Sequence, residues 1–247
     1  NMAVFTEDSI SHLADFQRPV RVLDQWMYHS RLYKAAEVAG DHEDLELVQL
    51  NSFGCGLDAV TTEQVEELLR NRNKLYTVLK IDEGSNLGAA RIRIRSLRAA
   101  MNERTKNEIK PVSFSKPFER VYFTKEMKAE YTLLVPQMSP IHFQFIETAL
   151  REEGYKAVLM PSVSKNAVEQ GLRHINNDVC YPTIVTLGQI IDELKSGKHD
   201  LNHTAVILSQ TGGQCRASNY ISLLRKALVD LKMEHVPVIS FSWTGLE

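Results

Sequence analysis

The first half of the chain alternates short apolar runs, typical of buried strands, with longer segments whose apolar residues recur at helical spacing. The predicted elements are strands at residues 45–50 and 75–81 and helices at residues 28–38 and 88–101. Between the two strands, Thr61 and Gln64 have the spacing of a capping box, so a further helix is predicted to begin at Thr61. A strand followed by a polar loop and a helix favours a parallel sheet.

The second half repeats this alternation of strand and helix. Its predicted strands span residues 131–135, 156–160, 204–208 and 237–241, and its predicted helices span residues 140–153, 182–194 and 217–231. The first of these helices has Ser139 as its N-cap, Pro140 at its first position and Gly154 as its stop. Gly197 is predicted to end the second helix.

Two lobes follow from the repeated pattern. We predict an α/β fold with two Rossmann-like or flavodoxin-like lobes, each built on a parallel sheet. The first lobe covers residues 1–104, a connector with broken apolar spacing covers 105–130, and the second lobe covers 131–247. Ligands of such sheets bind beyond the carboxyl ends of the strands, so we expect a pocket where the lobes meet.

The balance of basic and acidic residues limits the kinds of partner that the chain as a whole attracts. The 247 residues carry 29 basic and 31 acidic side chains, and a formal net charge of -2 offers no overall attraction to nucleic acid or acidic membranes. No apolar run reaches the roughly 20 residues of a membrane helix, and the N-terminus lacks a signal-peptide pattern. We therefore expect a cytoplasmic protein. Asn1 before Met2 is typical of a cleaved tag, and we expect this chain to be a piece of a longer protein.

The three cysteines are the strongest chemical signal. Cys55, Cys180 and Cys215 are an odd number at long spacings, without any C-x-x-C pair, which is not a disulfide framework and argues against a zinc knuckle or a ferredoxin-type run. All three are predicted to lie in loops that lead into helices. The ordinary alternative is that a free cysteine is a small buried hydrophobe.

Placement at a helix start changes the chemistry of a thiol. The positive end of the helix dipole stabilises the thiolate, which binds soft metals or attacks electrophiles. Four glycines beside two of the cysteines allow close backbone approach to a bulky group and offer N–H donors, and these are Gly54, Gly56, Gly212 and Gly213. Gly212 and Gly213 are equally compatible with a simple tight turn. Three thiolates assembled by the fold could hold an iron–sulfur cubane with one iron open.

The residues around the cysteines resemble a known family. The stretches are LNSFGCGLD at 50–58, LKIDE at 79–83, NNDVCYP at 176–182 and QTGGQCRA at 210–217. They are similar to the 2-hydroxyacyl-CoA dehydratase activases, also called CoA-substrate-specific enzyme activases. The similarity runs from about Arg18 to the end of the chain. It covers the dehydratase-like, cysteine-bearing portion of these large fused bacterial proteins, which is related to the double-cubane cluster proteins.

The resemblance implies a cofactor and partners. An iron–sulfur cluster, of 4Fe-4S or double-cubane type, would be held by Cys55, Cys180 and Cys215. An ATP-hydrolysing activator domain would provide a low-potential electron, and an acyl-CoA would be the substrate of a dehydratase or reductase. The activator's own nucleotide-binding domain is not expected here, since no Walker-type motif is present. A homodimer is a further candidate assembly.

Two other functions remain open from the residues alone. The chain could be a non-catalytic regulatory or interaction domain, in which case alanine at all three cysteines would leave partner binding unchanged. It could instead be a thiol-nucleophile enzyme, for which His142 and His174 are candidate bases. Tyr220 is expected to contribute to packing.

A group of arginines forms another candidate surface. Arg91, Arg95 and Arg98 share one face of a predicted helix, where they could bind a CoA phosphate or the carboxylates of a partner domain. A solvated or interdomain face is the alternative. Asp82 and Glu83 follow a strand directly and are expected to be solvated rather than catalytic.

Overall fold

The computed structural model describes residues 2–16, 20–52, 57–81, 84, 87–110, 112, 119–161, 163–213 and 215–242. The chain divides into two compact units, Asn1–Phe118 and Glu119–Glu247. Each unit contains a sheet of parallel strands with helices in the connections, so the predicted α/β class is confirmed. Among the described residues, no helix combines the length and apolar character needed to cross a bilayer.

The first unit contains a parallel pair of strands in which Leu47 lies opposite Tyr76. Its elements in chain order are α1 (Glu7–Ile10), a 3-10 helix (Ser11–Leu13), α2 (Met27–Asp41), β1 (Leu47–Asn51), α3 (Asp58–Arg70), β2 (Tyr76–Lys80) and α4 (Leu87–Lys106). Buried ion pairs hold this unit together: Arg72 binds Glu37, and Lys74 and Arg104 both bind Glu46.

The predicted start of α3 is wrong by three residues. The helix begins at Asp58 with Leu57 as its N-cap, and Thr61 lies inside it. The Thr61 hydroxyl donates to the Leu57 carbonyl oxygen at 3.0 Å instead of capping the helix. The reason is tertiary, because burial of Ala59 and Val60 adds a turn before the capping signal.

The second unit contains a four-stranded parallel sheet in the order β4-β3-β5-β6. Its elements in chain order are α5 (Met127–Glu130), β3 (Thr132–Val135), α6 (His142–Glu152), β4 (Lys156–Leu159), α7 (Lys165–His174), α8 (Tyr181–Lys195), a 3-10 helix (Leu201–His203), β5 (Thr204–Ser209), a 3-10 helix (Arg216–Asn219), α9 (Tyr220–Asp230) and β6 (Val238–Phe241). The central strands β3 and β5 are almost fully buried, as expected for a sheet covered on both faces.

The helix termini of the second unit agree only partly with the sequence. Gly154 and Gly197 follow the ends of α6 and α8 with φ of 86° and 73°, which confirms both predicted stops. The predicted N-cap of α6 is wrong, because that helix begins at His142 with Ile141 as its N-cap. The hydroxyl of Ser139 instead shares a hydrogen bond of 2.8 Å with the imidazole Nδ1 of His142.

Helix α7 is absent from the sequence prediction and is packed tightly against α8. The two helices meet at Gly171 and Gly188, where a Cβ on either residue would overlap a carbonyl oxygen of the other helix. Small residues therefore set the distance between these two helices. Since α8 begins at the residue after Cys180, this packing also fixes the position of that cysteine.

Candidate functional site

The site lies at the carboxyl edge of the second unit's sheet. Strand β4 lies on one side of β3, and β5 lies on the other side, so the two connections run in opposite directions along the sheet. The boundary between β3 and β5 is therefore a topological switch point. The end of β5 contacts the loop after β3, with the Ser209 hydroxyl 3.8 Å from the Met138 sulfur. Cys215 lies in the loop that follows β5, at the edge where open α/β sheets bind ligands.

Cys215 is the N-cap of the 3-10 helix that leads directly into α9, and its side chain is exposed. The loop before Cys215 is hydrogen-bonded to that 3-10 helix, because the Ser218 hydroxyl donates to the Gly213 carbonyl oxygen at 2.6 Å. Gly212 has φ of 71°, a conformation that favours glycine. A Cβ at Gly213 would meet nothing within 4 Å, so the space beside this glycine is open.

Cys180 is the N-cap of α8, with Pro182 in the first turn. An Asx turn precedes it, in which the Asp178 N–H donates to the Asn176 side-chain oxygen at 2.9 Å. The Cys180 sulfur lies 3.0 Å from the Thr183 hydroxyl and 3.8 Å from the Tyr220 hydroxyl. The thiol at the start of α8 therefore reaches the first residue of α9.

Hydrogen bonds to its sulfur make Cys180 unusually acidic. Partial burial raises the pKa of this thiol, but donors from the Thr183 side chain and N–H, from Arg216 and from Tyr220 outweigh burial and bring the pKa to about 7. A large fraction of Cys180 is therefore thiolate at neutral pH. Arg216 is itself buried, which strengthens its interaction with the sulfur.

Tyr220 lies beside Cys180 and follows Cys215 by five residues in the sequence. Burial raises the pKa of its hydroxyl to about 12, and the hydrogen bond with Cys180 and the electrostatic influence of Cys180 and Cys215 contribute to that rise. Both sulfurs are thus within electrostatic reach of one buried hydroxyl. The second unit thus carries two of the three cysteines at the starts of helical segments, Cys180 before α8 and Cys215 before the 3-10 helix that leads into α9.

Two buried glutamines hold the loops around this site. Gln189 on α8 accepts from the Gln137 N–H at 3.0 Å and donates to the Pro161 carbonyl oxygen, so it ties α8 to the loops after β3 and β4. Gln210 donates to the Ser218 carbonyl oxygen at 3.0 Å and accepts from the Ser240 hydroxyl at 2.8 Å. These contacts fix the helix starts relative to the sheet edge.

Sequence reasoning missed the residues that contact the cysteine sulfur. Thr183 is at the third position after an N-cap, where capping contacts occur, so its spacing from Cys180 could have identified it. Arg216 directly follows Cys215 but contacts the other cysteine. Tyr220 is buried as expected for a packing residue, and its contact with Cys180 spans 40 positions of sequence. No local signal could have identified that contact.

The third cysteine lies outside the described residues, together with Gly54, Gly56, Asp82 and Glu83. Their neighbours are described: β1 ends at Asn51 and α3 begins at Asp58, so Cys55 falls between a strand and a helix in the sequence. Among the residues that the structure describes, no group of three or more His, Cys, Asp or Glu side chains is arranged to hold a metal ion. The described thiols, which suit a soft metal, are those of Cys180 and Cys215.

Comparisons with protein-family models, with curated proteins and with solved structures found no match to this chain.

Proposed function

We propose that this chain is the iron–sulfur module of a reductase or dehydratase, similar to the cysteine-bearing portion of the 2-hydroxyacyl-CoA dehydratase activases. In this proposal Cys55, Cys180 and Cys215 provide the thiolate ligands of a 4Fe-4S or double-cubane cluster. The observations that support the proposal are the contact of Cys180 with the Tyr220 hydroxyl and the position of Cys215 in the loop after β5, beside the switch point of the sheet.

The donor set suits such a cluster. Iron–sulfur clusters are bound by thiolates rather than thiols, and the pKa of Cys180 is about 7, so this ligand is available near neutral pH. Hydrogen bonds from Thr183 and Arg216 compensate the negative charge on sulfur. Cys55 completes the set in this proposal by the sequence resemblance alone.

The surrounding residues would control the chemistry of the bound group. A cluster with three protein ligands supplies an electron of low potential and one open iron position. Hydrogen bonds to cysteine sulfur stabilise negative charge, so Thr183, Arg216 and Tyr220 are the residues that would adjust the potential. By resemblance, the electron would come from an ATP-hydrolysing activator domain and the substrate would be an acyl-CoA.

Anaerobic reconstitution tests this proposal. The wild-type chain and the variants Cys55→Ser, Cys180→Ser and Cys215→Ser are incubated with iron and sulfide, desalted, and analysed for both elements and for visible absorption. We expect about four iron atoms per chain for a single cubane in the wild type and a marked loss in each variant.

A matched control separates specific from adventitious metal binding. His203 is exposed and precedes β5, so it lies at the opposite end of the strand from Cys215. The variant His203→Ala should bind as much iron and sulfide as the wild type. Wild-type iron and sulfide no higher than in a variant lacking all three cysteines would refute the proposal.

The acidity of Cys180 also supports a second candidate, a thiol-nucleophile enzyme. A thiolate at a helix start with a nearby cation is the usual environment of a reactive cysteine. This candidate predicts that alkylation of Cys180 alone abolishes activity and that iron chelation has no effect. The iron–sulfur proposal predicts instead that iron chelation abolishes activity. The alkylation and chelation assays together therefore distinguish the two candidate functions.

A further inference from the structure

The first unit presents an unusual basic surface on α4. Within this helix Leu97 is buried, and Arg91, Arg93, Arg95 and Arg98 are all exposed. Leu87, Arg91, Arg95 and Arg98 recur at spacings of four, four and three residues and therefore lie along one side of the helix. We call Leu87, Arg91, Ile92, Arg95 and Arg98 the arginine face.

The arginines of this face lack counterions in the part of the chain that the structure describes. Arg91, Arg95 and Arg98 form neither an ion pair nor a hydrogen bond with any described residue. The last turn of the same helix differs, because Arg104 pairs with Glu46 and Lys106 pairs with Glu103. Between residues 87 and 102 the helix contains no Asp or Glu.

Helix stability does not explain these charges. Arg91 and Arg95 are like charges at the i and i+4 positions, which repel each other. No acidic residue of α4 between residues 87 and 102 offsets these charges, so the arginine face is suited to an external anionic group.

Apolar residues in the same face define the type of partner. Leu87 is 62% exposed and Ile92 is 64% exposed, beside the arginines. The apolar side chains of a protein partner could cover these aliphatic groups, whereas α4 has no aromatic residue that could stack on the bases of a nucleic acid. The net charge of -2 also gives the whole chain no attraction to a polyanion.

We propose that the arginine face of α4 is a docking surface for an acidic segment of a partner protein. Carboxylates of that segment pair with Arg91, Arg95 and Arg98, and its apolar residues cover Leu87 and Ile92. Arginine suits this role because its planar guanidinium binds a carboxylate through two parallel hydrogen bonds. This surface is independent of the cysteine site, so the two proposals can fail separately.

Binding of a defined acidic probe tests the docking surface. A fluorescent helical peptide of Glu, Leu and Ala is titrated with the full chain, beside the same peptide with Gln in place of Glu. The Glu peptide should bind more tightly, with an affinity that falls as salt rises. The combined variant Arg91→Glu, Arg95→Glu and Arg98→Glu should weaken binding by about tenfold or more, and the corresponding Gln variant by less.

The control variant changes the same formal charge elsewhere. Lys125→Glu, Lys156→Glu and Arg173→Glu replace three exposed cations of the second unit and should leave peptide binding nearly unchanged. Equal weakening by both variants would show that bulk charge, not the arginine face, attracts the peptide. Tighter binding of a single-stranded oligonucleotide or of anionic vesicles through the same arginines would also overturn the proposal, as would a failure of the Glu peptide to bind at low salt.

Discussion

The acidity of Cys180 depends on a hydrogen bond that a single substitution removes. Thr183→Val deletes the hydroxyl that lies 3.0 Å from the Cys180 sulfur and keeps a side chain of similar shape at a fully buried position. A hydrogen bond to a charged group contributes about 1.5–3 kcal/mol, and one pKa unit corresponds to about 1.4 kcal/mol. Sulfur is a weak acceptor, so we expect the lower end of this range.

The expected result is a rise of about one unit in the pKa of Cys180, from about 7 in the wild type. The thiolate is the reactive form and exists above the pKa, so the pH profile of alkylation should shift to higher pH. At pH 7 the thiolate fraction should fall from about one half to about one tenth, roughly a fivefold loss in alkylation rate.

The assay follows iodoacetamide labelling by mass spectrometry in a Cys55→Ser, Cys215→Ser background, where Cys180 is the remaining thiol. Thr186→Val is the matched control, because Thr186 is buried on the next turn of α8 and should leave the profile unchanged. An unshifted midpoint in Thr183→Val, or a wild-type midpoint near that of an ordinary cysteine, would refute the reasoning.

Two further predictions concern stability. Gly188→Ala should lower the free energy of unfolding by about 2 kcal/mol or more in a urea titration, because the new methyl overlaps a backbone carbonyl of α7. Gly213→Ala should lower it much less, because a Cβ at that position meets open space. Arg72→Leu should lower the free energy of unfolding by about 3–5 kcal/mol, because it leaves the buried Glu37 carboxylate without its cation. Glu66→Ala removes an exposed ion pair with Arg70 and should lower it by less than about 1 kcal/mol. Equal urea midpoints for the two glycine variants would contradict the close packing of α7 on α8. Equal midpoints for Arg72→Leu and Glu66→Ala would contradict the burial of the Arg72–Glu37 pair.

The sequence predicts the fold class well and the element boundaries less well. The alternation of apolar runs with helical patterns is enough to indicate parallel strands, because such strands are buried on both faces. The start of α3 is mispredicted because the burial of Ala59 and Val60, not the capping signal at Thr61, decides where that helix begins. Helix α7 is missed because its contacts with α8 are made by Ala167 and Gly171 rather than by large apolar side chains.

In the site, too, the sequence predicts local features but not the contacts between distant residues. A helix start at Cys180 is predictable, since Pro182 favours the first turn and the N-cap precedes it. The contact between Cys180 and Tyr220 is not, since it depends on how α8 and α9 pack beside the sheet. The same holds for Arg216, which lies beside one cysteine in sequence and hydrogen-bonds to the other.

Joint chelation of the two described thiols tests the shared cysteine site most directly. Phenylarsine oxide bridges neighbouring thiols, and intact mass spectrometry counts both the bound arsenic and the thiols left for alkylation. In a Cys55→Ser background we predict one arsenical per chain, with Cys180 and Cys215 both protected. Free alkylation of either thiol after saturation with the arsenical would contradict a common site beside Tyr220.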